Sequence, residues 1–199
     1  IDAVGEGTAT ITTEYYGTIR SLTVTVKKKE IKFSLDTDAY RGKAGDIYQF
    51  LVYTNDRDAV SEVKSSNPNI VTVKLKDAND PRGLKYEIQG LKSGSAEISV
   101  KVGDRTKKFT ATYSAAEYKL DETKRNMEVG DIYQFLAMIT DKGGKKAPVV
   151  KSSNEKVATV KLINDKDKRG YLYQIDAVGE GTATITTEYY GTIRSLTVT

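Results

Sequence analysis

Residue types that could do chemistry gather in two kinds of place in this chain: a pair of acidic loops and a pair of tyrosine doublets. The loops Asp77-Ala78-Asn79-Asp80 and Asn164-Asp165-Lys166-Asp167 concentrate carboxylate and amide oxygens. Hard cations such as calcium take that donor set, which makes Asp77, Asn79, Asp80, Asp165 and Asp167 candidate ligands. Neither loop has the spacing of a complete calcium loop, and Arg82, Lys166, Lys168 and Arg169 crowd them with positive charge. A solvated hairpin turning at Gly83 and Gly170 uses the same residues and is the reading they favour, with no metal and no cofactor expected. The doublets are Tyr15-Tyr16-Gly17 and its copy Tyr189-Tyr190-Gly191, each at an expected hairpin tip or flank. The other unit carries Lys101-Val102-Gly103 there. Two broad rings give contact area at low entropic cost, suited to gripping a sugar or a neighbouring module. Cross-strand packing on a half-exposed sheet is the competing role.

Catalysis finds little support. The chain has no histidine and no cysteine, which removes the common serine triad, thiolate zinc sites and the cysteine nucleophile. Gly5-Glu6-Gly7 and Gly179-Glu180-Gly181 precede a strand rather than open a helix, so they read as turns and not as a phosphate cradle. Lys74 and Lys161 fall on the polar phase of their strands, the wrong phase for the buried lysine of an internal isopeptide bond. No catalytic residue is assigned, and the chain is not expected to be an enzyme. The net charge of +4 is dispersed: Lys27-Lys28-Lys29 runs straight into Glu30, and Lys145-Lys146 sits in a glycine-containing loop. A basic face interleaved with aromatics is missing, which argues against a nucleic-acid partner. The longest apolar runs, such as Phe50 to Tyr53, are strand-sized, so membrane insertion is not expected.

The elements that must position these residues show in the repeats. Ile1 to Thr25 recurs letter for letter as Ile175 to Thr199, an offset of 174 residues, twice the 87 of a looser repeat. Gly45-Asp46-Ile47-Tyr48-Gln49-Phe50-Leu51 matches Gly130 to Leu136, Lys64-Ser65-Ser66-Asn67 matches Lys151 to Asn154, and Thr72-Val73-Lys74-Leu75 matches Thr159 to Leu162. The offset grows from 85 to 87 between the first two matches, which places a two-residue length difference in a surface loop, Thr54 to Glu62 against Thr140 to Val149. Within the units the apolar period is two, as in Val71, Val73, Leu75 and in Ala96, Ile98, Val100, with turn residues between the runs.

This pattern predicts half-buried antiparallel strands in an all-β fold of tandem β-sandwich modules arranged end to end, which the resemblance given below makes immunoglobulin-like. The expected organisation is the C-terminal strands of a preceding module at 1–25, then modules at 26–112 and 113–199, as in a window on a longer array. The expected inward residues are Tyr48, Phe50, Val52, Val71, Val73, Leu75, Tyr86, Ile88, Ala96, Ile98, Phe109 and Ala111, with their counterparts in the second module. The leading hairpin would turn Ala9, Ile11, Leu22 and Val24 inward, and those residues need a cover from another chain or from the following module.

The order of motifs resembles the bacterial immunoglobulin-like domain, group 2: a Gly-Asp strand, a Ser-Ser-Asn turn, and a Gly-Thr-Ala-Thr-Ile-Thr strand. The matching stretches are Gly130 to Ala137, Ser152 to Val160 and Gly181 to Thr186, with Gly45 to Val52, Ser65 to Val73 and Gly94 to Ser99 in the sister unit. The resemblance implies extracellular repeated modules of bacterial or phage surface proteins: adhesins, surface-layer and cell-wall proteins, filaments and tail components. It carries over no catalytic residue. The partners expected from the uncovered hairpin and the loop tips are neighbouring identical modules, in the same array or another chain, or a host protein or glycan.

Overall fold

In a computed structural model, which describes residues 1–139, 142, 143 and 145–199, the chain forms strands throughout and, among the described residues, no helix. It opens with a hairpin, β1 (Gly7–Tyr15) and β2 (Thr18–Val26). The first sandwich follows in β3 (Phe33–Leu35), β4 (Ala39–Lys43), β5 (Ile47–Thr54), β6 (Val60–Ser65), β7 (Val71–Asp77), β8 (Leu84–Gly90), β9 (Gly94–Val102) and β10 (Arg105–Ser114). One of its sheets has the order β3-β5-β8-β7 and the other β4-β10-β9-β6. The second sandwich consists of β11 (Lys119–Leu120), β12 (Lys124–Arg125), β13 (Ile132–Met138), β14 (Val149–Ser152), β15 (Ala158–Asn164), β16 (Gly170–Ala177), β17 (Ala183–Tyr189) and β18 (Thr192–Val198). Its sheets, β11-β13-β16-β15 and β12-β18-β17-β14, repeat the same topology.

The repeated motifs are the corners of this topology. Asp36 and Asp121 stand where the first strand leaves one sheet for the other. Their Oδ1 atoms accept from the N–H of Leu51 (2.9 Å) and of Leu136 (2.8 Å), donors that the departing strand no longer pairs. After the switch the chain enters the opposite sheet beside its last strand and in the same direction. β4 with β10 and β12 with β18 are therefore parallel, where the sequence had suggested antiparallel pairing alone. The Gly-Asp pair forms the turn into β5 and β13: Gly45 and Gly130 both have φ 97°, and Asp46 and Asp131 accept from the N–H three residues back, at 2.8 and 2.9 Å. The Ser-Ser-Asn pair clips the next corner. Ser66 exchanges two hydrogen bonds with the backbone of Glu97, and Ser153 does so with Thr184.

Each sandwich has its own core. The first gathers Phe50, Val52, Val71, Tyr86, Ile88, Ala96, Ile98, Phe109 and Ala111, with the Phe50 and Phe109 rings edge to face at 4.9 Å. β10 continues past residue 112, and the Tyr113 ring lies in this core. Tyr48 and Val73 are partly buried, Tyr48 stacked on Tyr40 at 4.2 Å. Leu75 does not point into the core as expected: it is 49% exposed, as its counterpart Leu162 is at 41%. Both stand on edge strands, beside bulges where the register shifts.

The loop in which the two-residue length difference was expected is described only in part, because Thr140, Asp141 and Gly144 lie outside the described residues. The leading hairpin is covered by neither sandwich: every residue of β1 is exposed.

Candidate functional site

The site that the fold builds from the sequence motifs is the contact between the two sandwiches. The β17–β18 turn is made by Tyr190 (φ 47°) and Gly191 (φ 76°), the backbone of a type I′ hairpin, which suits the twist of the flanking strands. A tyrosine at positive φ is uncommon, and what this one touches gives the reason to look. Strand register pairs Tyr189-Tyr190 with Val102-Gly103 of the first sandwich, rather than with Lys101-Val102. The strained position is thus a glycine in one module and an aromatic in the other.

The two rings of the doublet part company. Tyr189 points inward, is buried, and meets Tyr118 edge to face at 5.6 Å. Tyr190 leans against it at 4.9 Å and reaches the first sandwich. Its ring covers the Gly45 turn so closely that a Cβ there would stand 2.9 Å from two ring carbons. Its hydroxyl accepts from Gln89 Nε2 of the first sandwich at 3.2 Å, and from the N–H of Lys146 at 3.3 Å. Gly191 passes so near Lys92 that an added Cβ would meet its Cβ at 2.8 Å.

An ion pair reinforces the contact. Lys145 Nζ lies 2.8 Å from Asp46 Oδ1, with the lysine side chain 9% and the aspartate 29% exposed. Asp46 already accepts from the N–H of Lys43 through its other oxygen, so one carboxylate holds both its own turn and the next module. A pair this desolvated is screened less than a surface ion pair, although desolvation offsets part of the gain. Ala44, 1% exposed, completes the seam by packing into the core of the second sandwich. Lys43 and Glu117 add an exposed pair at 2.7 Å. A small cleft of about 290 Å³ lies between these residues, lined by Lys43, Ala44, Asp46, Glu117, Ile139 and Tyr189 among others. Burial and the nearby Asp46 carboxylate raise the Tyr40 hydroxyl above its usual pKa, with Lys145 opposing.

Tyr15 and Tyr16 have the same turn and the same edge-to-face rings, at 4.5 Å, yet are 76% and 91% exposed. The sequence pointed to the doublets but missed the receiving surface: Ala44, Asp46, Gln89, Lys92 and Lys145. The Gly-Asp motif was its only trace, because that motif reads equally as an ordinary strand entry.

The acidic loops are organised by their own cations. Asp80 accepts from the backbone N–H, Nε and Nη2 of Arg82, each at 3.0 Å, and pairs with Lys85. The Arg57 guanidinium donates to the carbonyls of Ala78 (2.6 Å) and Asp80 (2.7 Å). Asp77 Oδ1 accepts from Asn79 N–H at 2.8 Å. In the second loop Asp167 is held by Arg169 in the same way, and Lys142 Nζ donates to the carbonyls of Asp165 and Asp167. Arg82 holds the Asp80 carboxyl well below the usual carboxylate range, and Arg169 lowers Asp167 to about 2. A protein cation thus occupies the oxygen-lined place in each loop. Among the described residues no three His, Cys, Asp or Glu side chains cluster as a metal site.

No family model and no curated protein matches the chain. Among solved structures, the I9–I11 tandem of titin is similar over 96% of this chain and 73% of its own, at 13% identity and a TM-score of 0.52. The surface-layer protein SbsC, residues 31–844, matches 98% of this chain over 29% of its own length, at 16% identity and a TM-score of 0.43. The Yersinia pseudotuberculosis adhesin InvE matches 84% of this chain over 58% of its own, at 16% identity and a TM-score of 0.32. The titin likeness agrees with the topology: this is a protein of tandem immunoglobulin-like β-sandwiches.

Proposed function

We propose that the chain is a non-catalytic structural repeat, a spacer of a secreted bacterial cell-surface protein or extracellular fibre. The observation that carries this reading is the junction. Tyr190 seated on Gly45 and Lys145 paired with Asp46 restrain one sandwich against the next, which a load-bearing spacer requires and a chain of independent beads does not. Membership of the group 2 bacterial immunoglobulin-like domains belongs to the same proposal, supported by the Gly-Asp, Ser-Ser-Asn and Gly-Thr-Ala-Thr-Ile-Thr motifs. So does an extracellular location at a cell wall or surface.

Small-angle scattering of residues 1–199 tests the reading. A rod-like profile that persists across salt concentrations is expected, and a profile of two freely hinged bodies would remove it. A second reading, adhesive recognition of a host protein or glycan, is favoured by one observation: the Tyr15 and Tyr16 rings, edge to face with each other, are 76% and 91% exposed. Saturable binding on a glycan or matrix-protein array, lost on replacing both tyrosines with serine, would move the function to recognition.

A further inference from the structure

The two sandwiches share a fold, but the residues that join them are not shared, and the differences fall on both sides of the seam. On the inserting side, Tyr190 stands where the first sandwich has Gly103, at φ 47° against 60°. A Cβ at Gly103 would meet Ile31 of its own module at 2.7 Å, so that turn closes over its own chain. Lys145 belongs to a loop of which only the second sandwich has the longer form: Lys142 to Val150 exceeds Arg57 to Val63 by two residues. The starts of the two loops correspond, since Arg57 and Lys142 both donate to carbonyls of the neighbouring acidic loop.

On the receiving side, the Gly-Asp turn is common to both modules and cannot select a partner. Its neighbours can. Register and repeat place Glu128, Val129, Asp176 and Gly179 of the second sandwich at the positions of Lys43, Ala44, Gln89 and Lys92. Each of these residues would remove or oppose a contact of the observed seam. Gln89 donates to the Tyr190 hydroxyl at 3.2 Å, whereas Asp176 is one carbon shorter, charged, and engaged with Lys161 at 3.1 Å and with Gln174. Ala44 is 1% exposed, and valine would add two methyl groups to a place with no room. Lys43 pairs with Glu117 at 2.7 Å, and a glutamate in its place would set two carboxylates face to face. Lys92 packs on Gly191 through its Cβ, an atom that glycine lacks.

We propose that the seam is specific for the order of the modules. The corner made by Lys43, Ala44, Asp46, Gln89 and Lys92 accepts the tyrosine turn and the lysine loop of the second kind of module. The matching corner of the second sandwich refuses them, through a charge, a branched side chain and two lost contacts. Unfavourable contacts with the wrong neighbour are as much a source of specificity as good contacts with the right one. The partner that the corner selects is therefore a module carrying both Tyr190 and Lys145, and the two kinds must alternate wherever the seam forms. The repeat has that form: identity is letter for letter at 174 residues and loose at 87. Order specificity deepens the spacer reading, since it rests on the same seam.

The experiment uses the full chain, with four substitutions that give the first corner the residues of the second: Lys43→Glu, Ala44→Val, Gln89→Asp and Lys92→Gly. Each incoming residue already stands at that corner in the sister module, so the backbone accepts it. Residual dipolar couplings of the wild type are expected to fit one alignment for both sandwiches. Those of the corner variant should need two unequal alignments, while amide spectra show both sandwiches folded. Tyr190→Gly should loosen the wild type in the same way and add nothing to the corner variant. The reverse change on the second sandwich, Val129→Ala with Asp176→Gln, should leave the common alignment intact. If the fourfold change unfolds the first sandwich, Gln89→Asp alone carries the test, with the same loss of common alignment expected. A folded corner variant that keeps the common alignment, or a reverse variant that loses it, would overturn order specificity and leave the spacer reading standing. Unequal alignment already in the wild type would remove both.

Discussion

Leu22 and Leu196 sit in identical stretches of sequence, yet one is 53% exposed and the other fully buried. The hairpins around them agree in register, in turn type and in the edge-to-face contact of the tyrosine doublet. The difference separates two contributions that are usually entangled. A Tyr-Gly turn with both φ positive, flanked by alternating Thr and Ile or Leu, is enough to specify a hairpin. Burial of the second hairpin's apolar face comes from residues far away in sequence, among them Phe135, Ala158 and Tyr173.

Truncating the same leucine in both settings should therefore give the largest contrast. Leu196→Ala leaves a cavity in a packed core, and a loss of about 2–5 kcal/mol is expected in urea unfolding of the second sandwich. Leu22→Ala truncates a side chain that is already 53% exposed and should stay within about 0.5 kcal/mol. Far-UV circular dichroism along the urea curve reads both. Equal losses at the two sites would mean that the first hairpin is packed in solution, and the contrast would disappear.

Much of this architecture could be read from the residues. The period of two, the turn spacing and the 87-residue offset located the strands of both sandwiches and most of their inward residues. Leu75 was misread because alternation reports which face a residue is on and not whether its strand lies at the sheet's edge beside a bulge. The parallel pairs β4–β10 and β12–β18 escaped notice because the switch between sheets at Asp36 and Asp121 occupies a few residues and leaves no apolar signature. At the junction, Tyr190 could be singled out as an unusual residue. Its partners could not: Gln89, Lys92 and Lys145 are ordinary surface types that acquire a role only when the second sandwich lies against them. Contacts between modules are non-local even in a repeat, since the repeat fixes each unit and says little about how the units meet.

The Gly-Asp turn carries the comparison into the interior of each module. Gly45 and Gly130 share φ 97°, so alanine at either meets the same backbone penalty, about 1 kcal/mol or somewhat more. Only at Gly45 would the added Cβ press on the Tyr190 ring, at 2.9 Å; nothing lies within 4 Å at Gly130. Gly45→Ala should therefore do something that Gly130→Ala does not. It should free the second sandwich from the first, read as unequal alignment of the two modules in residual dipolar couplings. Gly130→Ala should leave their common alignment intact. If both variants leave the alignment unchanged, the Tyr190 contact does not orient the modules.

The smallest contrast is expected in acid, where the two loops differ by one cation. Asp80 faces Arg82 and Lys85, whereas Asp167 faces Arg169 with Leu172 at the place that matches Lys85. Hydrogen bonds from Arg82, then Lys85, lower the Asp80 carboxyl, and Arg169 lowers that of Asp167 to about 2. Both folded values lie below the unfolded value of about 3.9, so each carboxylate stabilises its sandwich fully above that pH. The contribution fades as pH falls from about 4 through the folded value: by about 2 for Asp167, and at lower pH still for Asp80. A carboxyl titration followed by carbon NMR should show Asp80 protonating after Asp167 as acid is added. Lys85→Leu, which gives the first loop the residue of the second, should bring the two midpoints together. Unchanged separation in that variant would show that Arg82, and not the second cation, sets the difference between the loops.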